Sequence, residues 1–460
     1  MSNLQRERLI LLHDKMTSIA QKIRSYDFIF LKVKITQLGW KFELCYDNRK
    51  YNISYLNFFF MPKADTYLLR SILLLGVCFA LTGTTSSLTV SASPLVGFQI
   101  SSNKALATLP LSFHLIGTML AGIPASFLMK RVGRKFGFII GTGIGAFGAA
   151  LATGSIIFSN FYLFCLSIFC LGIMSGFGQL YRFAAADVAT QEFKTKAVSL
   201  VMIGGIVAGF IGPTVAYRAK DIFPNAEFAG SYLFVIIFHV LIVFILLGTK
   251  LPRPDYTEQK GETRPKKVIF SQPKFIVAVL ASMAGYGIMA MVMTATPLAM
   301  TEGSGHHFSD AAFVIQWHVV GMFAPSFFSG TLIHRYGAVP IIISGVFLNI
   351  LCIAINLAGT DVLNYWSSLI LLGVGWNFMF VAGTTMVTET YTPAEKAIVQ
   401  GVNDFLVFGI AAISSLLAGV VQTSLGWKAV NLSSIPLLGV VVIALLWYFY
   451  QTSEKSNTFL

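Results

Sequence analysis

The sequence predicts an all-α integral membrane protein, with twelve transmembrane helices arranged as two parallel six-helix bundles. Three observations lead there. The first is composition: of 460 residues, 55% are hydrophobic and only 12% charged, with a mean hydropathy of +0.72. A water-soluble domain carries about 25% charged residues. The second is the length of the apolar runs, each close to the ~20 residues that cross a bilayer as a helix. The third is an internal repeat. HLIGTMLAGIPASFLMKRVGRK, His114 to Lys135, ends in a basic turn, and HVVGMFAPSFFSGTLIHRYG, His318 to Gly337, returns to the same design 204 residues later. His114/His318, Gly117/Gly321, Arg131/Arg335 and Gly133/Gly337 share that single register.

Residues 1–66 differ from the rest. They hold eleven Lys/Arg, and their apolar pieces, FIFLKVKI and YLNFFF, are too short to span. They read as an N-terminal cytoplasmic tail, lying at the membrane interface or forming a small appended element, or as sequence upstream of the true start, since Met61-Pro62-Lys63 would make an ordinary beginning. Residues 1–27 are charged throughout and lack the apolar core of a cleavable signal peptide.

From Tyr67 the apolar segments fall at 68–92, 105–129, 136–157, 161–186, 196–217 and 229–250, forming a first bundle over 67–250. A polar linker with Pro252, Pro254 and Pro265 covers 251–271. The second bundle, 272–450, holds segments at 272–297, 310–333, 338–358, 364–388, 397–421 and 428–450, followed by a tail at 451–460. Alternate loops divide sixteen Lys/Arg against four. The positive-inside rule then puts both termini and the linker in the cytoplasm, so the expected location is a cell membrane that the chain crosses many times.

The repeat extends beyond its first match. Ser91-Ala92-Ser93-Pro94-Leu95 echoes Thr294-Ala295-Thr296-Pro297-Leu298, Leu171-Gly172 echoes Leu372-Gly373, and Lys196-Ala197 echoes Lys396-Ala397. Six segments repeated in the same orientation mean two bundles related by an axis along the membrane normal, a transporter plan with the solute site at the midplane between them. The net charge of +13 lies in tails and loops, which suits anionic lipid headgroups rather than nucleic acid. The cysteines, at 45, 78, 165, 170 and 352, lack metal-ligand spacing. No metal or cofactor is expected. Neither a phosphate-cradling glycine loop with its Lys nor a nucleophile elbow is present, which argues against an ATP-driven pump and against an enzyme.

Several polar residues inside the segments are candidates for solute contact. Thr82, Thr85, Ser86, Thr89 and Ser93 share one face of segment 1 at ~100° per residue. Five hydroxyls on one face suit a cavity lining, although Ser and Thr also serve close helix packing. Gln179 and Arg182 stand near the end of segment 4, where an Arg either faces the bundle interior or snorkels to the surface. Asn403 and Asp404 sit early in segment 11. Asp404 is a proton or cation coupling site, a partner for Arg182, or a helix cap; Lys396-Ala397 begins the segment earlier, which favours an interior role. Tyr286, Gln316, Trp317, Trp376 and Asn377 pair aromatic faces with amides, as a flat polar solute requires. His114 and His318 are repeat mates, so packing or a structural hydrogen bond accounts for them better than proton shuttling.

The turn after segment 2 carries a motif. Ser126-Phe-Leu128-Met-Lys130-Arg131-Val-Gly133-Arg134-Lys135 resembles the major facilitator superfamily pattern Gly-x-Leu-x-Asp-Arg-x-Gly-Arg-Arg/Lys. The copy after segment 8 keeps Gly330, Leu332, Arg335 and Gly337. The resemblance covers everything after residue 66. It implies gating roles for Leu128, Arg131, Gly133, Arg134, Gly330, Arg335 and Gly337. Lys130 and His334 occupy the positions of the family's acidic latch, so this chain must latch differently. Segment 5 only partly matches the antiporter glycine-proline pattern, through Gly204, Ala208 and Gly212-Pro213, and Ile168 stands where many members carry Arg. Further strings, Gln179-Leu-Tyr181-Arg182, Thr294-Ala-Thr-Pro297, Trp376-Asn377-Phe378 and Gly401-Val-Asn403-Asp404, look like a bacterial branch that includes riboflavin importers. The resemblance implies a monomeric secondary transporter working by alternating access. Its partners would be the lipid bilayer, a small planar vitamin-like solute and protons. The rival expectations are proton-coupled drug efflux and, in another class, a non-transporting membrane sensor.

Overall fold

The computed structural model describes residues 30–36, 39–46, 49–53, 66–190, 193–249, 251, 263–392 and 394–457. The chain divides into a unit of Met1–Leu69 and a unit of Arg70–Leu460. The first contains an antiparallel sheet of β1 (Phe30–Thr36), β2 (Gly39–Tyr46) and β3 (Arg49–Ile53), in that order. The alternation Leu31-Lys32-Val33-Lys34-Ile35-Thr36 has the two-residue period of a strand, a signal hidden when the stretch is judged only by its length against a membrane. YLNFFF and the Met61 start lie outside the described residues.

The second unit is helical, as expected. Its first half runs α1 (Thr66–Ile100), α2 (Leu109–Val132), α3 (Arg134–Ile157), α4 (Phe161–Gly178), α5 (Tyr181–Val188), α6 (Lys194–Ala219) and α7 (Ala229–Leu247). After a short linker helix, α8 (Lys266–Phe270), come α9 (Pro273–Leu298), α10 (Phe308–Phe323), α11 (Ser326–Tyr336), α12 (Ala338–Ala358), α13 (Val362–Thr388), α14 (Lys396–Leu432) and α15 (Ile435–Asn457). Among the described residues, eleven helical stretches are long and apolar enough to cross a membrane. The last, Ile398–Gln451, has 54 residues and breaks at Gly426, where φ is 79°. That is length for two crossings at ~20 residues each, and it brings the total to the twelve expected. Part of the expected tail at 451–460 continues α15.

Two expected segments are broken. Segment 4 stops at Gly178 and resumes at Tyr181, after glycines at 172, 176 and 178 that weaken a helix. Segment 8 breaks at Ala324-Pro325, because Pro325 has no N–H to continue the ladder. Asn377 Nδ2 splints that break by donating to the Met322 carbonyl (2.7 Å) and to Ser326 Oγ (2.7 Å).

The repeat is visible as packing. Gly133 and Gly337 both end a helix at positive φ, 87° and 86°, a conformation that costs glycine least. A Cβ on Gly172 would stand 2.1 Å from the His114 carbonyl oxygen, and one on Gly373 2.5 Å from that of His318. Each half therefore crosses its second and fourth segments at a glycine that lets the backbones touch. The halves meet along two seams, α6 against α10 and α2 against α14.

Candidate functional site

Between the seams, midway along the helices, lies a cavity of about 1060 Å³, part of it open to solvent. Its walls differ. The first half contributes Thr82, Ser86, His114, Thr118, Ser175 and Gln179, while the second contributes Tyr286, Met289, Met293, Met322, Phe323 and Phe408. The imidazole, the amide and most of the hydroxyls come from the first half, which also brings Phe79, Val90, Leu111 and Leu115; the thioethers come from the second half, with most of the rings and the Thr294 hydroxyl. Aromatic packing holds the second wall. Tyr286 meets Phe408 edge to face at 5.2 Å and Trp376 at 5.4 Å, and Trp376 stacks on Phe380 at 5.1 Å.

Of the residues singled out in the sequence, Thr82, Ser86, Gln179 and Tyr286 line this cavity. Trp376 is buried one layer behind it, against Tyr286 and Phe323. Thr89 is fully buried and spends its hydroxyl on the Thr85 carbonyl (2.8 Å). Gln316 reaches across the α6–α10 seam to Thr214 Oγ1 (2.8 Å), and Trp317 packs there on Phe210. Asn377 is fully buried as the splint already described. Helix rotation about the seams separates these positions from the cavity.

His114 and Ser175 are cavity residues that the sequence did not single out for contact. His114 Nε2 lies 3.4 Å from Ser175 Oγ, which lies 2.8 Å from Ser86 Oγ. His318, the repeat mate, is sealed in packing with Nδ1 on the Leu369 carbonyl (2.8 Å). The signal for His114 was its place on the same helix as the motif, but repeat symmetry pointed to packing for both.

Towards the end of the bundle that carries the 130–135 turn and the linker, Arg182 on α5 lies within electrostatic reach of Asp404 on α14 and of Tyr286. They are not within the 4.0 Å of an ion pair. Arg182 Nε is buried without a hydrogen-bond partner among the described residues. Asp404 accepts from Asn403 Nδ2 (3.1 Å) and stays accessible to solvent, while its electrostatic reach to Arg182 puts it on the inner side of α14. At the opposite end the halves are sealed. Thr108 Oγ1 accepts from the Gly419 N–H (3.1 Å) and donates to the Leu416 carbonyl (3.4 Å), and Phe228 meets Phe308 edge to face at 5.1 Å.

The residues of the turn motif are placed at the linker end. Arg134 is nearly buried and pairs with Asp187 at the end of α5, its Nε 2.6 Å from Oδ2. Lys135 donates to the Leu247 carbonyl (2.7 Å). Arg131 and Arg335 are exposed, Arg335 over the Tyr336 ring at 5.2 Å, Gly330 faces open space, and Leu128 is half-buried. In the second half, Lys274 pairs with Glu389. Linker residue Arg264 forks onto the fully buried Glu395, Nε to Oε1 at 2.9 Å and Nη2 to Oε2 at 2.7 Å. This fork, together with the backbone N–H donors of Arg264 and Thr392, holds the Glu395 carboxyl far below the usual carboxylate range. Among the described residues, no group of His, Cys, Asp and Glu has the makings of a metal site.

This architecture has known relatives. The chain matches the Major Facilitator Superfamily over residues 74–414. It is 40% identical over 379 residues to "Riboflavin transporter RfnT" of Brucella anthropi, covering 82% of this chain and 95% of that protein. It is 26% identical to an uncharacterised transporter of the same superfamily from Bacillus subtilis, YddS, covering 84% and 92%. Among solved structures it superposes on a bacterial homologue of the lysosomal transporter Spinster, in an inward-facing and occupied conformation (TM-score 0.64, 16% identity, 85% of this chain and 98% of that one). It also superposes on the nucleoside transporter NupG (TM-score 0.63, 15% identity, 84% and 99%). Twelve crossings in two repeated halves around a shared cavity, with this match along most of the chain, identify a multi-pass secondary transporter rather than an enzyme, and the chain belongs to the major facilitator superfamily.

Proposed function

We propose that this transporter imports a flat, largely neutral heteroaromatic of the riboflavin type by alternating access through the central cavity. The observation that carries the reading is the division of the cavity walls. A flavin is itself two-sided, with an apolar ring face and a polar ring edge and sugar-like chain. Met289, Met293, Met322 and the rings of Tyr286, Phe323 and Phe408 suit the apolar face, since sulfur and aromatic edges both favour ring contacts. Ser86, His114, Ser175 and Gln179 suit the polar parts. The 40% identity to the riboflavin transporter of Brucella anthropi points the same way.

Arg182 and Asp404 offset one another in charge, leaving the cavity without demand for an ion. Asp404, open to water and held near Arg182, is the coupling group through which a proton gradient drives uptake. The seal at Thr108 and Gly419 corresponds to an inward-facing state, with the chain a monomer in a bacterial inner membrane and both termini cytoplasmic. The test is flavin fluorescence with purified protein, followed by uptake into proteoliposomes with and without a pH gradient. Saturable quenching by riboflavin and gradient-driven uptake are expected. Absence of flavin binding, with tight binding of a lipophilic cation, would overturn this reading in favour of drug efflux.

A further inference from the structure

The polar wall contains a hydrogen-bond chain, His114–Ser175–Ser86, and the chemistry of its members gives the chain a direction. His114 and Ser175 are more than nine-tenths buried, at 5% and 6% exposure, and all three line the cavity. The tautomer of His114 is assigned by analogy with its repeat mate. His318 Nδ1 faces the Leu369 carbonyl at 2.8 Å, and a carbonyl only accepts, so that nitrogen is the N–H and Nε2 is bare. His239 does the same with the Val235 carbonyl at 2.6 Å. Beside the His114 ring the backbone acceptor is the Ile168 carbonyl, the counterpart of Leu369 in the repeat, although Nδ1 falls short of full hydrogen-bond geometry.

With hydrogen on Nδ1, His114 Nε2 accepts from Ser175. Ser175 has one hydroxyl hydrogen, so towards Ser86 it can only accept. Ser86 gives its own hydrogen to Ser175 at 2.8 Å in preference to the Thr82 carbonyl at 3.4 Å. Only lone pairs are left on the Ser86 oxygen for the cavity.

We propose that Ser86 is an obligate hydrogen-bond acceptor in the solute site, oriented by His114 through Ser175, and that the solute must present an N–H or O–H to it. The proposal rests on the flavin reading for its choice of donor, the ring imide N–H between two carbonyls. Gln179 on the same wall carries two amide N–H donors for a flanking carbonyl. On the facing half the thioethers and ring faces are weak partners for such a donor, and the hydroxyls of Tyr286 and Thr294 are the alternatives there.

The test compares riboflavin with its N3-methyl derivative by fluorescence quenching on the full-length purified protein. A buried donor–acceptor pair lost to a methyl group weakens binding about tenfold or more. In Ser86→Ala that discrimination falls to about twofold or less, because the acceptor is gone. Equal binding of the two flavins by the unaltered protein, or full discrimination in Ser86→Ala, overturns the proposal. If neither flavin binds, the flavin reading fails, and the chain is judged by the ¹⁵N spectrum of histidine-labelled protein. The His114 signals, assigned by their loss in His114→Gln, should show a bare Nε2 that shifts in Ser175→Ala. A protonated Nε2 overturns the proposed direction.

Discussion

Replacing Gly419 with Ala isolates the seal between the halves at the end opposite the linker. A Cβ at that position would stand 2.3 Å from Thr108 Oγ1, 3.0 Å from its Cγ2 and 3.1 Å from its Cβ. Comfortable contact requires about 3.5 Å, so α2 and α14 must part by about 1 Å there. Overpacking of this size costs about 1–3 kcal/mol. The strain falls only on the state in which this end is closed, because the contact exists only there. Transport alternates between closure at one end and at the other, so the equilibrium should move towards the state open at this end by a factor of about 5–150. The assay is the distance between spin labels at Ser102→Cys and Ser424→Cys, two exposed positions at this end, with the five native cysteines replaced. Gly419→Ala should enlarge the long-distance population and slow uptake. Adding Thr108→Ala removes Oγ1 and Cγ2, the two nearest obstacles, and should restore much of the original distribution. An unchanged distance distribution in Gly419→Ala would refute the assignment of this contact as the seal.

Three further outcomes are expected. Asp404→Asn should abolish gradient-driven uptake while preserving solute exchange, since an amide keeps the shape but carries no proton; full gradient dependence in the variant would make Asp404 structural. Asp187→Asn strands the nearly buried Arg134, and because Asp187 is itself 36% exposed the cost should be about 1–3 kcal/mol rather than that of a fully buried pair, read as a lower Tm in detergent with the solute affinity unchanged. Glu395 titrates far below an ordinary carboxylate because Arg264 holds its charged form. Its contribution is complete above the unfolded value of ~4.3 and is lost only as pH falls through the depressed folded value. Tryptic cleavage after Lys266 and Lys267, which the pair holds in α8, should accordingly be slow and flat from about pH 5 to 8, and fast throughout that range in Glu395→Gln; a rise near pH 6 in the unaltered protein would contradict the pairing.

Much of the fold was legible before any coordinates. A bilayer leaves a spanning segment no choice but to satisfy its backbone internally, so length and hydropathy alone mark the crossings. The repeat then follows from Gly133 and Gly337, which share one positive-φ turn that other residues disfavour. Where the segment boundaries drifted, local chemistry accounts for it. Pro325 broke segment 8, and the strands at 30–53 were not read as strands because their alternation is lost on a scale tuned to membrane length.

The site was less legible. Ser86 and Thr89 lie less than one turn apart on the same stripe, yet Ser86 opens on the cavity and Thr89 is sealed. His114 and His318 occupy one register of the repeat, and only His114 meets the solute space. The sequence by itself determined the twelve crossings, the two-fold construction and the family, because each depends on local hydrophobicity, glycine backbone freedom or a contiguous motif. Which polar face turns inward, how Gln316, Trp317 and Asn377 come to serve seams and splints, and how Arg182 approaches Asp404 were decided only by the tertiary structure. Those outcomes depend on the rotation of each helix, and that rotation is set by close approaches at glycine, such as Gly172 on the His114 backbone and Gly419 on the Thr108 side chain, between residues 58 and 311 positions apart.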